Sequence, residues 1–131
     1  MMILVGPCSL ALLFTLGCGP NLHVLRERDQ GVPFDYCRAG ANGGLDVVVS
    51  NNGSRAVAAT THTKITWQTG ETKVLSTPPI AAGGSVVVGP FLVPMPCTRT
   101  GDCEFDISVD DDNAVSESNE SDNVVHGLCP N

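Results

Sequence analysis

The chain has 131 residues, 42% of them hydrophobic but only 5% aromatic, and a formal net charge of −7. That length suits one domain and not comfortably two. Nine of the fourteen acids lie between Asp102 and Asp122, a surface that repels phosphate backbones and argues against a nucleic-acid partner.

Residues 1–17, MMILVGPCSLALLFTLG, carry no charge and are mostly apolar. A membrane span needs about 20 residues, so this segment is read as an export signal, although its positive n-region is missing. It ends in Thr15-Leu16-Gly17-Cys18, followed by Gly19-Pro20-Asn21. The run resembles a bacterial lipobox, with Thr15 where that pattern prefers leucine. The resemblance implies cleavage after Gly17, lipidation of Cys18 and, from Gly19 in place of aspartate, sorting to the outer membrane. Residues 18–33 show no sustained period and mixed charge. They are expected to be a tether with a flexible reach on the order of 25 Å, with His23 as a surface residue.

The domain proper is predicted over residues 34–131. Asp35-Tyr36-Cys37-Arg38 is a short strand candidate, followed by a glycine-rich turn. Leu45, Val47 and Val49 alternate with polar neighbours or the opposite face, as in a half-buried strand. Asn51-Asn52-Gly53-Ser54 supplies a turn in which asparagine and glycine tolerate positive φ. From Ala59 to Trp67 a second strand puts Ala59, Thr61, Thr63, Ile65 and Trp67 on the core face, and Thr60, His62, Lys64 and Thr66 outside. Thr72–Ser76 is a weaker strand ended by Pro78-Pro79. Val86–Val88 and Phe91–Val93 form an extended segment broken at Gly89-Pro90, the mark of an edge strand or a bulge. Phe105, Ile107 and Val109 face inward on the next strand, and Asn123–Cys129 is the last.

Between those two strands runs an acidic crossover with six carboxylates: Asp110, Asp111, Asp112, Glu117, Glu120 and Asp122. Ala114 and Val115 interrupt it and are the expected anchors to the core. Short strands with turn signals every 8–15 residues and no helical period predict an all-β sandwich. Six cysteines (8, 18, 37, 97, 103 and 129) with no CxxC pair point to disulfides in an oxidising compartment. With Cys8 and Cys18 assigned to the signal, four remain and allow three pairings. The predicted bridges are Cys97–Cys103, closing one loop, and Cys37–Cys129, joining the first and last strands. On the chain-entropy model they contribute about 2.4 and 4.6 kcal/mol.

Leu45 to Gly53, Ile80 to Ser85, and above all Ile107 to Asn123 resemble the CARDB domain, the cell adhesion related domain found in bacteria. In the last stretch Asp110, Asn113, Val115, Glu117, Asn119, Glu120 and Asn123 match the family's ending, and Asp122 departs from it. The resemblance implies a seven-stranded immunoglobulin-like β-sandwich on an exported surface protein, here as a single copy.

No catalytic constellation is present: no G-x-S-x-G elbow, no H-E-x-x-H and no phosphate loop. His126 and Cys129 give a weak zinc pair, which the disulfide reading removes. A calcium reading of Asp110, Asp112, Glu117 and Glu120 follows from the oxygen ligands that hard cations prefer. The spacing is not that of an EF-hand, and the favoured reading is that these groups cap local backbone N–H groups, with no cofactor. The expected function is a non-catalytic adhesion or binding module at the cell envelope, lipid-anchored, with a protein or glycan partner. The alternatives are a structural lipoprotein without a ligand, and a protease inhibitor presenting Thr98–Asp102.

Overall fold

Apolar residues at every second position give each strand one face to bury, and that alternation organises the computed structural model. Residues 19–25, 36, 38–40, 43–99, 103–111, 114–115, 117 and 123–129 are described. The elements are β1 (Leu22–Val24), β2 (Arg38–Ala39), β3 (Leu45–Asn51), β4 (Thr61–Trp67), β5 (Thr72–Thr77), β6 (Ser85–Phe91), α1 (Met95–Arg99), β7 (Cys103–Val109) and β8 (Val124–Cys129).

In the first sheet β3 is central and pairs antiparallel with β6 on one edge. Its other edge is shared. β1 covers the end of β3, with Leu22 opposite Asn51, and β2 covers its start, with Ala39 opposite Leu45. The two short segments therefore occupy a single strand position. The second sheet is antiparallel throughout in the order β5-β4-β7-β8. Eight described segments fill seven positions, three facing four, which is the immunoglobulin-like sandwich.

The inward faces follow the alternation. Thr61, Thr63, Ile65 and Trp67 of β4 are buried, as are Phe105, Ile107 and Val109 of β7. Opposite them lie Leu22, Leu45, Val47, Val49 and Phe91, each 2% exposed or less. Trp67 and Phe105 are register partners and meet edge to face, with ring centroids 5.3 Å apart, a geometry worth about 1 kcal/mol beyond area burial. The buried hydroxyls of Thr63 and Thr77 hydrogen-bond each other at 2.6 Å, so threonine serves on a core face without an orphaned polar group.

Several expectations need correction. Ala59, expected on the core face of the second strand, is exposed and precedes β4, which starts at Thr61. Of the predicted tether, residues 19–25 are described, and they belong to the sandwich: Leu22 is fully buried and Val24 is 4% exposed. Three residues are too few to show a period, so this strand could not be read from alternation. His23 is consequently half-buried in β1 rather than on the surface. The edge strand or bulge expected at Gly89-Pro90 is present as both: β6 pairs with β3 alone among the described strands, and between Val88 and Phe91 its Gly89 and Pro90 face the single residue Asp46 of β3. As an edge strand it tolerates a residue that cannot donate to a ladder. The segment after Pro94 forms α1, which sets Thr98 and Arg99 of the supposed inhibitory loop in helical backbone. Ala114 is exposed, and only Val115 of the two expected anchors packs against the core.

The sandwich has two poles. One gathers Gly19–Asn21, the end of β3, the starts of β4, β6 and β8, and the end of β7. The distal pole carries the β4–β5 turn at Gln68–Gly70, the end of β6, α1 and the start of β7.

Candidate functional site

The acidic crossover leaves β7 at Asp110, whose φ of 48° lies in the left-handed region. Asparagine and aspartate enter that region more readily than other side chains because they bond to nearby backbone. Asp110 does so: Oδ1 accepts from the N–H of Ala114 at 2.9 Å, and Oδ2 from that of Val115 at 3.1 Å. The side chain is 3% exposed. Asp111 donates its N–H to the carbonyl of His62 and meets Lys64 Nζ at 3.4 Å. That half-exposed ion pair contributes at most about 1 kcal/mol.

Glu117 reaches in two directions. Its Oε1 accepts from Asn123 Nδ2 at 2.7 Å, and its Oε2 accepts from the backbone N–H of Leu22 in β1. The crossover is thereby tied to the N-terminal strand. Asp112 and Glu120, the other two residues of the calcium reading, lie outside the described residues. Among the described residues no three histidine, cysteine, aspartate or glutamate side chains converge as metal ligands.

Asn51 is the neighbouring fixture, and the turn reading of its sequence missed it. The side chain is fully buried. Oδ1 accepts from the N–H groups of Asn21 and Gly53, both at 3.0 Å, while Nδ2 donates to the carbonyls of Arg55 at 2.8 Å and Ile80 at 3.3 Å. One side chain thus joins the N-terminal segment, the β3–β4 loop and the bridge between Val57 and Ile80. Gly53 is required here for space and not for φ. A Cβ on it would stand 2.2 Å from the Gly19 carbonyl oxygen and 2.6 Å from the Asn21 nitrogen.

Cys97 and Cys103 form a disulfide with Cα atoms 5.2 Å apart, joining the middle of α1 to the start of β7. Cys129 is also disulfide-bonded; Cys37 and Cys18 lie outside the described residues. His126 and Cys129 are three apart on one strand, so they point to opposite faces and form no zinc pair.

His126 instead has partners that its own strand does not reveal. On the exposed face of β7 and β8 its Nδ1 lies 2.7 Å from Asp106 Oδ1, and its Nε2 lies 2.9 Å from Glu104 Oε1. The hydrogen bond to Asp106, followed by that to Glu104, raises its pKa above the ordinary 6.5. Alternation alone puts Glu104 and Asp106 on one face; only the register, Asp106 opposite His126, brings the histidine to them. Exposed apolar side chains at the distal pole are Leu92, 62% exposed, and Met95, 65% exposed. No helix among the described residues is long and apolar enough to cross a membrane.

A three-on-four antiparallel sandwich whose loop carboxylates hold backbone N–H groups defines an immunoglobulin-like module. The family model for CARDB matches residues 19–127, and the chain belongs to the CARDB family, an adhesion-related domain family of the non-catalytic binding type. The fold is similar to the crystal structure of the CARDB domain of a Pyrococcus furiosus protein in complex with di-metal ions. The TM-score is 0.56 at 19% identity, covering 86% of this chain and 88% of that one. Comparison with curated proteins gave no match.

Proposed function

We propose that the chain is a non-catalytic binding module of the cell envelope, carried on a lipid at Cys18 and directed at a protein or glycan. The observation that carries this reading is the family match, which begins one residue beyond Cys18 and takes in nearly all that follows. The uncharged apolar segment 1–17 supports export, and the Gly17-Cys18 junction supports the anchor. Two disulfides, Cys97–Cys103 and a proposed Cys37–Cys129, suit the oxidising compartment that export implies.

In this reading the acidic crossover is structural. Asp110 and Glu117 are occupied by N–H donors of the fold itself, so the di-metal ions of the Pyrococcus furiosus domain are not carried over to it. The mature protein purified from membranes should carry acyl chains on Cys18 by mass spectrometry. Immobilised residues 19–131 should retain a defined envelope protein or glycan saturably. An unmodified N-terminus elsewhere would end the anchoring claim, and absence of saturable retention would favour a structural lipoprotein.

A further inference from the structure

We infer that the anchored sandwich stands directly on the membrane, with the pole formed by the β3–β4 loop and the β5–β6 turn held against the lipid headgroups. This rests on the reading that Cys18 carries the lipid. It follows from how little chain lies between that cysteine and the fold.

Gly19 is buried, and it exchanges two hydrogen bonds with Ser54: its N–H donates to Ser54 Oγ at 3.1 Å, and its carbonyl accepts from Ser54 N–H at 2.9 Å. Asn52 donates its N–H to the Asn21 carbonyl at 3.1 Å, and Asn21 Nδ2 donates to Asn52 Oδ1 at 2.6 Å. Gly53 packs directly against this segment, close enough that a Cβ on it would overlap Gly19, Pro20 and Asn21 backbone atoms. The chain is therefore fixed up to the residue after the cysteine, and a lipid on Cys18 is one residue, about 3.5 Å of chain, from the sandwich. A flexible tether of about 15 residues would have allowed a reach of over 20 Å and any orientation.

The surface on the β3–β4 side of Gly19 suits a headgroup layer. It is this side that meets the lipid, because exposed Asp111 and the rest of the acidic crossover, which leave β7 at the same pole, are repelled by lipid phosphate. Ala56, Ala58, Ala59 and Thr60 are exposed, as are Ala81, Ala82 and Gly83 of the adjoining turn, which Gly83 ties to Asn51 through its N–H. These groups are small and uncharged, so little polar desolvation opposes their approach to headgroups. Arg55, exposed among them, is a cation of the kind that pairs with lipid phosphate. The distal pole, with Gln68–Gly70, Leu92 and Met95, then faces outward at a height of at least about 20 Å, the length of β4. Orientation thus decides which loops can meet a partner.

The test uses the mature protein purified from membranes and reconstituted into vesicles of phosphatidylethanolamine and phosphatidylglycerol carrying a headgroup-linked quencher. A small fluorophore is placed on Ala58→Cys in one sample and on Thr69→Cys in another. The label at residue 58 should be quenched several-fold more than that at 69. A Gly-Ser insert of about ten residues between Cys18 and Gly19, with a reach near 17 Å, should abolish the difference. Equal quenching in a protein that floats with the vesicles and carries lipid on Cys18 overturns the orientation and leaves the anchor standing. A protein that does not float and has an unmodified Cys18 overturns both.

Discussion

Asn51 and His126 are both polar side chains gripped from two sides, and they stand in opposite surroundings. Asn51 is fully buried and holds Asn21, Gly53, Arg55 and Ile80. His126 lies on an exposed sheet face, with its side chain 59% accessible, between Asp106 and Glu104. Water can replace either partner of His126 when the contact is lost, but it cannot reach the groups around Asn51 without opening the fold. The same kind of bond is therefore structural at the N-terminal pole and close to neutral on the outer face of β7 and β8.

Substitution at the two sites should separate them. Asn51→Leu takes the side-chain acceptor from the N–H groups of Asn21 and Gly53 and a donor from the carbonyls of Arg55 and Ile80, the last of which keeps the Val57 N–H. It should lower unfolding stability by about 3 kcal/mol or more in urea titration. A loss no larger than that of an exposed substitution would contradict the structural role. Asp110→Ala comes next, since it removes both caps from Ala114 and Val115 and leaves a residue poorly suited to φ 48°; about 2 kcal/mol is expected. Asp110→Asn keeps an acceptor and should lose less.

His126 should give the smallest change, well under about 1 kcal/mol given its exposure. It also carries a pH signature. Its pKa is raised in the fold, first by Asp106 and then by Glu104, so its contribution is complete below the unfolded value and fades as pH rises through the folded one. The stability difference between wild type and His126→Gln should therefore be full below the ordinary value of 6.5 and shrink as pH rises through the raised folded one, in parallel urea titrations. A difference that grows with pH would contradict the assignment. No calcium-specific effect is expected: millimolar calcium and magnesium should move the melting midpoint equally, by the screening of a negative surface. A shift of several degrees with calcium alone, abolished in Glu117→Gln, would make the crossover an ion site.

The contrast also explains what the sequence showed. Core faces were legible because β3, β4 and β7 run for seven residues each, long enough for a period of two to be counted. The crossover was legible through its resemblance to the family ending, and Asp110 caps local backbone as the spacing suggested. β1 was not legible: its pairing with β3 spans some thirty positions, and nothing local marks it. In sequence Gly53 has the marks of a turn residue, yet what demands glycine is the approach of Gly19 and Asn21 from elsewhere in the chain. Asn51 is hidden by the same marks, and the triad of His126, Asp106 and Glu104 by register, which alternation does not fix.

The central claim is that residues 19–25 are a strand of the sandwich and not a leash, and urea unfolding of residues 19–131 against residues 26–131 tests it most directly. Removing Leu22 and Val24 strips two buried side chains from the core and uncovers the edge of β3, along with the N–H group that Glu117 holds. The shorter chain should lose about 4 kcal/mol or more, with a lower midpoint and a less cooperative transition. Equal midpoints and slopes for the two chains would show that the N-terminal segment is a tether after all.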